Sequence, residues 1–449
     1  MKNYEIVVVG GGPAGVTLSK MLGKKYNMAV IRPENYSMIY CALPYAIEGL
    51  IDNEKTFKSD SLVTDAGVDL IRDRVTKIKG DRTLELEKGE PISFEKLIIA
   101  TGTVPFIPPI PGSELEGVSG FKTEDDLLWI QEKISKDIND AVVVGAGAIG
   151  IELSQALAFK GMNVHLVDMA DSVLPNMIDK EMALELQYEM SNKGVNFVPN
   201  SRVVELKGDK FVEEVVMDSG KVIKFPKSKD GKQTGIIVFA VGTKPVIPTI
   251  EGMDIEVERD GIIVNSKMET NVKDIYAVGD CVQFHSGIDG KVLSGKLATN
   301  AVPMAKILGF NLLGQNREYK GFYNGAATKV GKYFVGGTGF SEKTAIQRGF
   351  EVVCGYSEVT TKFPIMPTKK NKKMKLVVDK NTHRVLGAQI VSGEPVVGRV
   401  DLLTYSIQKK STVEDLTELS YASQPHQSFY PAANLVVLAS EDVLKKLKK

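Results

Sequence analysis

Short, largely apolar stretches recur along the chain without regular polar alternation: Tyr4 to Val9, Met28–Ile31, Lys96–Ile99, Ala141–Val144 and Asn163–Val167. Such runs predict strands buried on both faces of a parallel sheet. Two of them are followed within a few residues by helical spacing, in Val16–Leu22 and in the segment that ends at about Phe159. Strand and helix in succession predict an α/β fold. From Asp52 to Glu95 the pattern is mixed loop, short helix and strand, with turns at Lys79-Gly80-Asp81 and Lys88-Gly89-Glu90. Near the C-terminus Met374–Asp379 and Val385–Val391 read as strands of a further globular unit.

The strand-to-helix junctions are glycine-rich. The first is Gly10-Gly11-Gly12-Pro13-Ala14-Gly15 and the second is Gly145-Ala146-Gly147-Ala148-Ile149-Gly150-Ile151-Glu152. A Gly-x-Gly-x-x-Gly turn between strand and helix lets the backbone approach a pyrophosphate and aims helix N–H groups at it. The chain therefore reads as two dinucleotide-binding units. After the second, the strand Asn163–Val167 ends on Asp168, 23 positions beyond Gly145, where an acid for the ribose hydroxyls belongs. Met169-Ala170-Asp171 follows, with no Arg or Lys to hold a 2′-phosphate, which favours NADH over NADPH; a solvated acid at a strand end is the alternative. After the first, the matching strand finishes Arg32-Pro33-Glu34. The acid is displaced by two positions, and Glu34 is a candidate for the ribose contact.

A second duplication accompanies the first. Ala100-Thr101-Gly102-Thr103-Val104-Pro105-Phe106-Ile107-Pro108-Pro109-Ile110-Pro111-Gly112 returns 140 positions later, in the segment from Ala240 through Gly242 to Gly252, as Ala-x-Gly-Thr-x-Pro-x-Ile-Pro-x-Ile-x-Gly. Beyond it, Ile275-Tyr276-Ala277-Val278-Gly279-Asp280 is a short buried strand ending in an acid, and a helix begins near Leu297-Ala298-Thr299.

Composition narrows the classes. A chain of 449 residues suggests about three domains of ordinary size, and 56 basic residues balance 56 acidic ones, so no net field draws it to nucleic acid or an anionic membrane. The basic run from Lys369 to Lys375 reads as a solvated loop, with an anionic ligand as the alternative. Three cysteines without close pairing argue for a reducing compartment, and no apolar run reaches spanning length, so a soluble, cytoplasmic protein is expected. His165, His285 and His383 have no spacing that points to a metal. Cys281, beside Asp280, and Cys354, in a strand pattern, read as packed residues.

Cys41 differs from both. Pro44 suits the first turn of a short apolar helix and Gly49 its end, which puts Cys41 at or near the N-cap. There the unpaired N–H groups favour thiolate over thiol. A small buried hydrophobe is the alternative for an arbitrary intracellular cysteine.

Two glycine fingerprints, two Ala-x-Gly segments, the Gly279-Asp280 pair and a lone cysteine after the second strand together resemble the FAD-dependent pyridine nucleotide-disulfide oxidoreductases. The resemblance spans essentially the whole chain and is nearest to the single-cysteine branch of coenzyme A-disulfide reductases, NADH oxidases and peroxidases, and polysulfide or persulfide reductases. It implies an FAD domain of about 1–115 plus 246–320, an NAD(P)H domain of about 116–245, and a dimerisation domain of about 321–449. By likeness, Gly10, Gly12, Pro13, Ala14, Gly15, Thr101, Gly102 and Asp280 would contact FAD, with Leu297, Ala298 and Thr299 near its ring system. Gly145, Gly147, Ala148, Ile149, Gly150, Glu152 and Asp168 would serve NADH, with Gly242 in the repeated segment.

In such enzymes electrons pass from NADH through FAD to cysteine, so Cys41 would be the relay. Counted forward as Cys-x-x-x-x-Cys the second position holds Ala46, which excludes an internal disulfide and leaves a mixed disulfide, a persulfide or a sulfenic acid on Cys41. Peroxide-reducing relatives usually place a His in the first fingerprint, where this chain has Pro13, and coenzyme A-dependent ones usually carry an Arg pair where Ser19 to Lys25 offers lysines only. His426 could serve as acid or base from a second subunit, although Pro431 stands where its carboxylate partner is expected; an interface-packing histidine is the alternative. The expected acceptor is a small disulfide, persulfide or polysulfide such as coenzyme A disulfide. O2 or a redox protein is the alternative, and the expected assembly is a homodimer.

Overall fold

The computed structural model describes residues 1–136, 138–226, 233–293, 295 and 297–449. They form two compact units, one of Met1–Phe106, Lys122–Glu124 and Gly242–Phe322, the other of Ile107–Phe121, Asp125–Val241 and Tyr323–Lys449.

The first unit is built on a sheet whose parallel part runs Ile275–Ala277, Ile92–Ile99, Lys2–Val9, Met28–Arg32, Asp69–Arg72 in space. Lys2–Val9 lies between two neighbours, with Val9 opposite Ile31 on one side and Ile99 on the other. Ile6, Val7 and Val8 are fully buried, because layers cover both faces and every position of the strand must be apolar. The helices Pro13–Leu22 and Ala298–Leu312 pack on each other.

The second unit holds two larger sheets. One is parallel, in the order Val118–Gly120, Gly235–Phe239, Asp140–Val144, Asn163–Val167, Val195–Val198. The other is antiparallel, in the order Ala326–Val330, Tyr333–Gly339, Val385–Ser392, Asn371–Asp379, Val352–Thr360. Helix Leu435–Leu447 packs on the edge strand Val352–Thr360 and its neighbour.

The basic run is not a solvated loop: Asn371–Asp379 is a strand in the interior of the sheet, and Lys375 is 0% exposed. Its ammonium lies among the carboxylates of Asp179, Glu181 and Glu342. Those acids are far away in sequence, so a local charge pattern could not reveal them. Among the described residues, no helix is long and apolar enough to cross a membrane.

Candidate active site

The first fingerprint is a tight turn at the end of Lys2–Val9. Gly10 has φ +122°, and a Cβ there would collide with the Ala100 carbonyl; one on Gly15 would collide with the Gly10 carbonyl. Those two glycines let strand and helix pack. Gly12 is of another kind: it caps Pro13–Leu22, and a Cβ on it would meet no protein atom within 4 Å. Its open side is where a phosphate can reach the helix N–H groups. Gly279 faces both Ala14, on the first turn, and Ala301 of the later helix. The Gly-Asp pair and the later helix thus converge on the fingerprint. Leu297 caps that helix, and Ala298 and Thr299 stand at its start, Thr299 exposed.

The repeated segments pair with each other. Thr103–Pro105 runs antiparallel to Thr243–Pro245, flanked by reciprocal bonds: Val246 N–H to Gly102 O and Phe106 N–H to Gly242 O, both 3.0 Å. Thr101 Oγ1 donates to Val246 O. Two copies of one sequence, 140 positions apart, therefore close a two-stranded ladder. Gly102 at φ +68° and Gly242 at φ +111° both leave open space where a Cβ would be.

Asp280 lies in the turn Gly279–Cys281, with the Lys122 ammonium 3.8 Å from its carboxylate. Lys122 donates to Thr103 Oγ1 and sits 5.5 Å above the ring of Tyr40, the residue before Cys41. Burial pulls the Lys122 ammonium below the ordinary lysine value, and Asp280 opposes that. Burial pushes the Tyr40 phenol up to about 12; Glu34 and Asp280 add to the rise and Arg32 opposes it. Sequence reasoning missed Lys122 and Tyr40. Neither belongs to a motif, and Lys122–Glu124 is a three-residue return of the chain to this unit.

Cys41 is exposed, in the short turn Tyr40–Ala42 just ahead of helix Leu43–Glu48. Ala42 is the N-cap, one position later than Cys41; Pro44 stands in the first turn, and Gly49 ends the helix at φ +82°. Cys281 is buried and donates to the carbonyls of Ile99 and Val278, 3.4 Å each. Cys354 is half-buried, and burial pushes its thiol up to about 12.

Strand Met28–Arg32 ends in a buried arginine, with Glu34 exposed beyond it. Arg32 is 1% exposed and its aliphatic chain lies over Gly11. Its Nη2 donates to Asp60 and to Asn35 O at 3.1 Å, while Nε is buried with no hydrogen-bond partner among the described residues. The open fingerprint glycine fits the pyrophosphate of a dinucleotide, and the orphaned buried N–H beside it fits an acceptor oxygen.

The second fingerprint repeats the geometry. Cβ atoms on Gly145 and Gly150 would collide with backbone, whereas one on Gly147 would not, and helix Ala148–Phe159 follows, with Ile149 exposed. Asp168 is fixed by two backbone donors, Ala146 N–H at 2.6 Å and Ala170 N–H at 2.7 Å. Glu152 accepts from Thr328 Oγ1 at 2.6 Å; burial raises its carboxyl and that bond opposes the rise. His426 belongs to this unit, and its backbone N–H donates to Gln424 Oε1. Tyr421 donates to Pro431 O, and Tyr430 meets Phe363 edge-on. Asp179, Glu181 and Glu342 form a carboxylate cluster of metal-binding spacing, but Lys375 is bonded to all three.

Residues 4–305 match the family described as "Pyridine nucleotide-disulphide oxidoreductase", and 326–432 match its dimerisation domain. A protein named NADH oxidase from Methanocaldococcus jannaschii is 30% identical over 98% of this chain and 99% of its own. A CoA-dependent NAD(P)H sulfur oxidoreductase from Pyrococcus furiosus is 28% identical over 94% of this chain and 96% of its own. The solved NAD-dependent persulfide reductase from A. fulgidus superposes with a TM-score of 0.90 at 28% identity, covering 99% of this chain and 83% of that one.

Proposed function

The chain belongs to the pyridine nucleotide-disulphide oxidoreductase family, and from that premise we propose that it uses NADH to reduce a small disulfide, persulfide or polysulfide through Cys41. Membership implies FAD and a pyridine nucleotide as cofactors. FAD, when bound, accepts a hydride from the nicotinamide and gives up two electrons. The residues that would hold it are Gly10, Gly12, Gly15, Thr101, Gly102 and Asp280. Gly145, Gly147, Gly150, Glu152 and Asp168 would hold the nicotinamide dinucleotide. The carboxylate of Asp168 repels a 2′-phosphate and so supports NADH.

The observation that carries the reading is the contrast among the cysteines: Cys41 is exposed ahead of a helix, while Cys281 is buried and Cys354 half-buried. The Cys41 thiolate attacks one sulfur of the acceptor; an S–S bond forms at Cys41, the acceptor's own bond breaks and a thiolate leaves. Two electrons from NADH and one proton then cleave the bond on Cys41, releasing the second thiol and restoring the thiolate. Buried Ala46 stands where an internal partner would be, so the other sulfur must come from the acceptor. The match to a dimerisation domain supports a homodimer.

Cys41→Ser tests this. The variant is expected to lose NADH-driven reduction of polysulfide and of coenzyme A disulfide while keeping NADH-driven reduction of a dye. Unchanged sulfur-substrate turnover would show that Cys41 is not the relay and would favour the alternative acceptors, O2 or a redox protein.

A further inference from the structure

Dinucleotide-binding strands of this kind ordinarily end in an acid that accepts hydrogen bonds from the ribose hydroxyls. Here the terminal residue of Met28–Arg32 has the opposite charge. It is also not free to swing away. Arg32 is covered, lies across Gly11 of the fingerprint, and is gripped at Nη2 by Asp60 and Asn35 O. Arg72 bonds the other oxygen of Asp60, so the carboxylate is shared between two guanidinium groups. This fixes the plane of the Arg32 guanidinium and leaves its Nε–H buried without a partner among the described residues. A buried donor left unpaired destabilises a fold, so a bound group that offers an acceptor oxygen here would be stabilising.

We infer that Arg32 takes over the ribose contact in the first nucleotide site with reversed polarity: its Nε–H donates to a hydroxyl oxygen of the adenosine ribose of FAD. Asp60 and Arg72 are positioning residues, and Glu34, exposed two places on, has no part in the contact. The inference rests on the assignment of FAD to the first fingerprint.

The test is equilibrium binding to the apoprotein, read by quenching of flavin fluorescence. FAD is compared with its analogues that lack the 2′- or the 3′-hydroxyl of the adenosine. In the unaltered protein one of the two analogues is expected to bind about tenfold more weakly than FAD, the scale of a hydrogen bond to a charged group. This measurement needs no variant to fold. Arg32→Gln is then expected to bind FAD and both analogues alike, and Glu34→Gln to retain the discrimination. Equal affinity of the unaltered protein for FAD and both analogues would overturn the inference, as would loss of discrimination in Glu34→Gln but not in Arg32→Gln. An apoprotein that takes up no FAD at all would instead refute the FAD assignment beneath it.

Discussion

At the scale of single residues, the three thiols differ in what surrounds them. Cys281 is buried and its thiol lies 3.4 Å from each of two carbonyls, while burial pushes the Cys354 thiol up to about 12, which disfavours its thiolate. Cys41 alone is exposed. Brief treatment with iodoacetamide at neutral pH, followed by peptide mass spectrometry, is expected to place the label on Cys41 in about tenfold excess over the other two, since reactivity follows access and thiolate content. Comparable labelling of Cys354 would show that exposure and burial do not rank these sulfurs, and the sulfur relay would lose its main support. Lys122 belongs at the same scale. A half-buried ammonium between Asp280 and the ring beside Cys41 costs solvation, and the Asp280 carboxylate and Thr103 hydroxyl offset that cost.

At the scale of elements, the fingerprint turn separates glycines that pack from a glycine that leaves room. Gly15 touches the Gly10 carbonyl through its missing side chain, so Gly15→Ala forces strand and helix apart. Gly12→Val places its Cβ in open space. The apoprotein melting temperature is expected to fall in the first variant and to stay unchanged in the second, while both lose FAD on gel filtration. A Gly12→Val protein that retains FAD would move the pyrophosphate away from this helix. The fingerprint strands could be read from sequence because burial on both faces forces an unbroken apolar run, and the turns because collision with backbone leaves only glycine. The pairing of the Ala-x-Gly twins could be seen as a repeat but not as a ladder, since nothing local says that Thr103 faces Pro245. The surroundings of Arg32, Lys122 and Lys375 stayed hidden for the same reason. Asp60 and Arg72 beside the first, Asp280 beside the second, and Asp179 and Glu342 beside the third all come from distant parts of the chain.

At the scale of the whole molecule, the second unit combines a parallel sheet with an antiparallel one, and the Lys375 cluster bonds the two portions together. Asp179 precedes helix Lys180–Asn192 and Glu181 lies in its first turn, between two strands of the parallel sheet, whereas Glu342 and Lys375 belong to the C-terminal portion. Lys375 Nζ lies 2.8 Å from Asp179 and 2.6 Å from Glu342, and also bonds Glu181. Burial raises the carboxyls of Asp179 and Glu181, but the bonds and charge of Lys375, together with bonds from Gln389, Tyr356 and backbone N–H groups, outweigh it and hold both below the usual carboxylate range. A carboxylate whose folded value is depressed contributes stability above its unfolded value and loses it as pH falls through the folded one. The cluster should therefore stabilise the unit at neutral pH and release that stability below about pH 4. Lys375→Met leaves three acids facing one another without this counter-charge. The expected loss is about 3 kcal/mol at neutral pH, the lower end for a broken buried pair because Glu181 and Glu342 are partly solvated. Protonating the acids relieves their repulsion, so the gap between variant and parent should narrow as pH falls from about 6 to about 4. Urea unfolding of both proteins across that range measures it. A gap that is constant with pH would mean that Lys375 acts by packing alone, and that its charge does not hold the two sheets of this unit together.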